Sequence, residues 1–66
     1  MYVIKVDNLY FRSFEYDEDG NITGVYLTID YNNAKPIISQ LEANKIKTTI
    51  NILYDNVEIK ELVIKE

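Results

Sequence analysis

The sequence predicts an α+β domain of order β-β-β-α-β. It is read as a three-stranded antiparallel meander, one helix packed on one face, and a C-terminal strand. Three observations predict it. Apolar residues alternate at a period of two through most of residues 2–29. Ala43, Ile46, Ile50, Leu53 and Tyr54 follow at spacings that trace one face of a helix. A strand-like run then returns in VEIKELVIKE.

The first strand is YVIKV, with Tyr2, Ile4 and Val6 on one side. Asp7-Asn8 tolerates the positive φ of a tight hairpin turn, so Val6 should pair with Leu9, Ile4 with Phe11 and Tyr2 with Ser13. The second strand runs to about Tyr16, where DEDGN supplies turn residues. The third strand is ITGVYLTI, residues 22–29. With Tyr16 opposite Ile22, Ser13 meets Val25, Phe11 meets Leu27 and Leu9 meets Ile29. Paired residues share a face, so Tyr2, Ile4, Val6, Leu9, Phe11, Val25, Leu27 and Ile29 form the expected core face. A one-residue slip would scatter that set.

DYNNAKP reads as a polar connection. Ser39 then caps a helix, with Glu42 three residues on. TTINILY also reads as a strand, because β-branched residues are dense there. The stripe and the cap together favour the helix, ended by Asp55-Asn56. The last strand should lie at the edge beside the first strand and run parallel to it. Its alternation slips near Glu61-Leu62, the mark of a bulge or a frayed end.

Sixty-six residues make a single domain, 1–66, near the lower size limit for unaided folding. A core this small supplies roughly 3–5 kcal/mol. The chain has no Cys and no His, which removes thiolate sites and the commonest acid–base catalyst and metal ligand. Neither a cofactor nor a metal is expected. YVIKV is too short for a signal peptide or a membrane span, so the expectation is a cytoplasmic protein.

The net charge is −4, and residues 1–30 hold all of it. There Lys5 and Arg12 face Asp7, Glu15, Asp17, Glu18, Asp19 and Asp30. A basic stripe of the kind that neutralises phosphates is absent, so direct nucleic-acid binding is not expected.

Few constellations point to chemistry. Asp17, Asp19 and Asn21 resemble part of a calcium loop, but Gly20 stands fourth and Thr28 twelfth, against the EF-hand pattern. A solvated hairpin turn accounts for them. Glu15 with Asp17, and Glu58 with Glu61, lack the nucleophile and basic partner that an acid–base site needs. The acids bunch at one hairpin tip rather than spreading at phosphate-like spacing, which argues against mimicry of DNA.

The aromatic residues of NLYFRSFEY are the strongest lead. With one face given to the core, the other carries Val3, Tyr10, Arg12, Phe14, Tyr16, Ile22 and Tyr26. Arg12 is expected across from Tyr26, stacked on its ring. Cross-strand aromatic pairs stabilise sheets by themselves. Tyr and Arg are also favoured at interface hot spots. The expected partner-binding set is therefore Tyr10, Arg12, Phe14, Tyr16 and Tyr26, with the acidic tip Glu15, Asp17, Glu18 and Asp19 steering towards a basic surface.

YVIKVDNLYFRSFEYD, GNITGVYLTIDYNNAK and SQLEANKIK together resemble the small early proteins of phages and prophages of Gram-positive bacteria. A YVIK-type first strand, a hairpin, an LT…AK stretch and an EA-containing helix recur in these. The resemblance implies an accessory protein in the host cytoplasm that binds and redirects a host protein, in the sharper version inhibiting a defence or nucleic-acid enzyme. It transfers no catalytic residue. The reading is thus a non-catalytic protein-binding module. The alternative is a self-associating accessory protein, a homodimer closed through the aromatic face or the edge of the third strand.

Overall fold

The computed structural model describes residues 1–62. Strands β1 (Tyr2–Val6), β2 (Leu9–Tyr16), β3 (Ile22–Thr28) and β4 (Val57–Glu61) form one sheet of order β3-β2-β1-β4. Helix α1 (Gln40–Ile50) lies between β3 and β4 in the chain. It buries Ala43, Ile46 and Ile50 against Ile4, Val6, Phe11, Ile37 and Val57. The α+β class and the order β-β-β-α-β are as the sequence predicts. Val63 to Glu66, the end of the expected last strand, lie outside the described residues.

The turns form where expected. Asp7 takes a φ of 54° at the first hairpin and Gly20 a φ of 84° at the second. Ser39 caps α1, its Oγ accepting from the Glu42 N–H at 3.0 Å. The helix stops at Ile50, however, four residues short of the expected end. β-Branched residues and Asn are poor helix formers, and residues 48–52 are Thr, Thr, Ile, Asn and Ile. Thr48 and Thr49 turn their hydroxyls back to the carbonyls of Asn44 and Lys45, at 2.9 and 3.1 Å. Leu53, expected in the buried stripe, is therefore exposed, while Tyr54 still packs on the core.

β4 lies beside β1 as expected, but it runs antiparallel, with Tyr2 opposite Glu61 and Val6 opposite Val57. The reason is the segment after β3. It is not a passive polar loop. Asp30 caps a 3₁₀ turn (Tyr31–Asn33), accepting from the Asn32 N–H at 2.9 Å. This ends β3 at Thr28 and leaves Ile29 exposed rather than in the core. The chain then returns along the sheet. Lys35 N–H donates to the Phe11 carbonyl at 2.9 Å, and Ile37 exchanges two backbone bonds with Tyr2 at 2.7 and 2.8 Å. That return adds one reversal of direction, which turns β4 around.

The same segment replaces part of the first hairpin. β1 and β2 pair at Val6–Leu9 and Lys5–Tyr10. Beyond that the expected Ile4–Phe11 and Tyr2–Ser13 pairs give way to residues 35–37, which bond to both strands. β1 sits inside the sheet, between β2 and β4. Val3, expected on the open face, is buried, as are Ala34 and Ile37 of the connection.

β2 and β3 hold the expected register at both ends, with Phe11 opposite Leu27 and Tyr16 opposite Ile22. Between them it is displaced by one residue. Arg12 is an extra residue in β2, so Ser13 meets Tyr26 and Phe14 meets Val25. Thr23 is an extra residue in β3, and it restores the register. The expected Ser13–Val25 and Arg12–Tyr26 pairs do not form.

Candidate functional site

The displaced stretch inverts the alternation of β2, and this decides which rings share a face. Phe14 turns to the helix side. Its ring lies 4.7 Å from that of Phe11, and it packs on the core with Val25. Tyr16, two residues on, follows it, edge to face at 6.4 Å. The expected open aromatic face is therefore divided. Tyr10, Arg12, Glu15 and Tyr26 remain on the outer side, whereas Phe14 and Tyr16 belong to the helix side.

On the outer side the Tyr10 ring meets Tyr31 edge to face at 5.2 Å. No ring–guanidinium contact joins Arg12 to Tyr26 among the described residues. The Tyr26 hydroxyl instead donates to Glu15 Oε2 at 2.6 Å, and Thr23 Oγ1 donates to Oε1 at 3.0 Å. These bonds favour the ionised carboxylate, so Glu15 is held below its ordinary 4.5. The bond to Glu15 raises Tyr26 above its ordinary 10.0. Glu15 is thus committed to a cross-strand cluster and is not part of the acidic tip.

The tip is ordered by Asp17. Its Oδ1 accepts from the N–H groups of Asn21 and Asp19, each at 2.9 Å. Its main chain bonds Asn21 and Gly20 at 2.9 and 3.1 Å. The Asn21 N–H is the main cause holding Asp17 below its ordinary 3.8. Glu18 and Asp19 project beside it, exposed. Among the described residues no group of three or more acidic side chains is placed to hold a metal ion.

The helix side of the hairpin carries a feature that sequence reasoning misses. Ile22, Thr23, Gly24 and Val25 of β3 face Thr49, Ile52 and Leu53 across an open groove of about 250 Å³. Tyr16, Ile22, Ile52 and Leu53 are 58%, 43%, 79% and 63% exposed, so an apolar strip borders the groove. Residues 52 and 53 reach it because α1 ends early. The density of β-branched residues and Asn in TTINI is the signal that would have found them.

No helix among the described residues is long and apolar enough to cross a membrane. No family model, curated protein or solved structure matches the chain.

Proposed function

We propose that the chain is a small protein-binding module that acts by contact, without chemistry of its own, on a host or bacterial protein. The observation that carries this reading is the exposed apolar strip of Tyr16, Ile22, Ile52 and Leu53. Contiguous exposed apolar surface of this kind marks interaction sites. The β2–β3 arm that bears Tyr16 and Ile22 ends in Asp17, Glu18 and Asp19, which suits a basic partner. Inhibition of a host defence or nucleic-acid enzyme in the host cytoplasm is the sharper form, and it rests on the resemblance to phage early proteins.

A homodimer is the second reading. β3 pairs only with β2 among the described residues, and Ile22–Thr28 carries neither a charge nor a Pro to protect its edge.

The test is retention of proteins from a Gram-positive bacterial lysate on the immobilised full chain, identified by mass spectrometry. Two folded double variants are run beside it, Tyr16→Ser with Ile22→Ser and Tyr10→Ala with Tyr26→Ala. A protein held by the native chain and lost from either variant supports the module. An obligate dimer in sedimentation at micromolar concentration, broken by the same changes, sinks it in favour of self-association.

A further inference from the structure

The groove and the edge of β3 that is unpaired among the described residues are one feature, because Ile22–Val25 supply both. We infer that this edge takes an extended, basic–apolar segment of a partner protein as an added strand, with an apolar side chain seated between β3 and the end of α1. The inference rests on the binding-module reading and names the chemistry of its partner.

Four observations select this occupant. First, the groove, at about 250 Å³, is smaller than the roughly 300–1,000 Å³ of small-molecule sites. It suits one or two aliphatic side chains. Second, one wall is β3, whose edge away from β2 has no strand partner among the described residues. Strand addition draws affinity from main-chain hydrogen bonds and specificity from pockets for alternate side chains, and both elements are present here.

Third, Gly24 has no packing reason to be Gly. Its φ is not in the left-handed region, and an added Cβ would meet only Glu15 Cβ and Oε1, each at 3.7 Å. An isolated Gly in a strand marks a bulge, here the extra residue Thr23 beside it, or a place where another backbone approaches closely. Fourth, the charge favours a basic guest over a second copy. The arm's tip holds Asp17, Glu18 and Asp19, and the last carbonyls of α1 add partial negative charge, with Lys47 as the one base in its last turn. Two-fold antiparallel pairing of β3 with itself would bring each acidic tip near the partner copy's Thr28–Asp30 end, setting acid against acid.

The test is an amide NMR titration of the isotope-labelled full chain with three synthetic octapeptides. One alternates Lys with Val or Ile. The second replaces every Lys with Glu. The third is the basic peptide with alternate backbone nitrogens methylated, which removes its donors along one edge. The basic peptide should shift the amides of Ile22–Val25 and Leu53 saturably, and added salt should weaken it. The acidic and methylated peptides should bind roughly tenfold or more weakly. Leu53→Lys, at an exposed position, should weaken the basic peptide while leaving the melting temperature unchanged.

Equal binding of the acidic or methylated peptide overturns the inference. So do shifts confined to the Tyr10–Tyr26 side, or no saturable shift at β3. A lysate protein retained through the outer side would still stand as a partner, so strand addition can fail without the binding module failing. Self-association through β3 that excludes the basic peptide overturns both.

Discussion

Ile37→Ala tests the least expected part of the fold, the connection that works as a strut. Ile37 is 1% exposed and packs in the core, whereas its neighbour Ile38 is 79% exposed. Truncating a buried Ile to Ala costs about 2–5 kcal/mol, from lost transfer energy plus the cavity. Against a total of roughly 3–5 kcal/mol for a core this small, that is enough to unfold much of the population. Ile38→Ala should stay within about 0.5 kcal/mol of the native chain. The milder Ile37→Val keeps the comparison quantitative. It should cost about 0.5–1.5 kcal/mol, and each kcal/mol lowers the melting temperature by about 4–8 °C in a domain of this size. Urea and thermal unfolding followed by circular dichroism read all three. Equal losses at 37 and 38 would refute the strut. So would an Ile37→Ala protein as stable as the native one, because the return of the chain between β1 and β2 would then hold nothing together.

Three further outcomes follow from the local geometry. Ser39→Ala removes the cap of α1 and should cost about 0.5–2 kcal/mol, read by urea unfolding, with Ser39→Asp restoring most of it. Gly24→Ala should stabilise the chain by about 0.5–1 kcal/mol, since the new methyl meets only the Glu15 side chain at 3.7 Å and the strand gains over Gly. A loss of stability there would show that the close approach of β2 needs the Gly. Glu15 and Asp17 both titrate below their ordinary 4.5 and 3.8 in the fold. Their contribution is present above those values and is lost as pH falls through the lower folded ones. Melting temperature should therefore drop on acidification below about pH 4.5. Tyr26→Phe should move the Glu15 carboxyl back up in an NMR titration, and Asp17→Asn should flatten the acid limb.

How far the fold was legible depended on where the chain kept its period. Alternation and turn residues located four strands, and Ser39 located the start of the helix, because each of these is a local signal. The direction of β4 was not legible. It depends on Ala34–Ile37 reaching back to Tyr2 and Phe11, and AKPI has neither the length nor the alternation of a strand. The spacing of Leu53 and Tyr54 carries the helical stripe past Ile50, where the poor helix propensity of Thr48–Ile52 ends the helix.

The site was legible in composition but not in sides, and the reason is the pair of extra residues. Arg12 and Thr23 cancel, so a register inferred from the two turns is right at Phe11–Leu27 and at Tyr16–Ile22 and wrong between them. Burial favours the displaced register. The uniform register puts Ser13 opposite Val25 in the core and sends Phe14 to water, a poor exchange for a chain with so small a core. Moving the register by one residue brings Phe14 and Val25 inside together, against Phe11, and leaves Ser13, Glu15 and Tyr26 outside, where Glu15 finds the Tyr26 hydroxyl. The rings that looked surplus on one face are thus of two kinds. Phe14 is needed by the core, while Tyr16 continues the same side past the core's end, where β3 and the shortened helix leave a groove open. That the strip lies on the helix side follows from the bulge, and the bulge follows from the cost of leaving Phe14 in water.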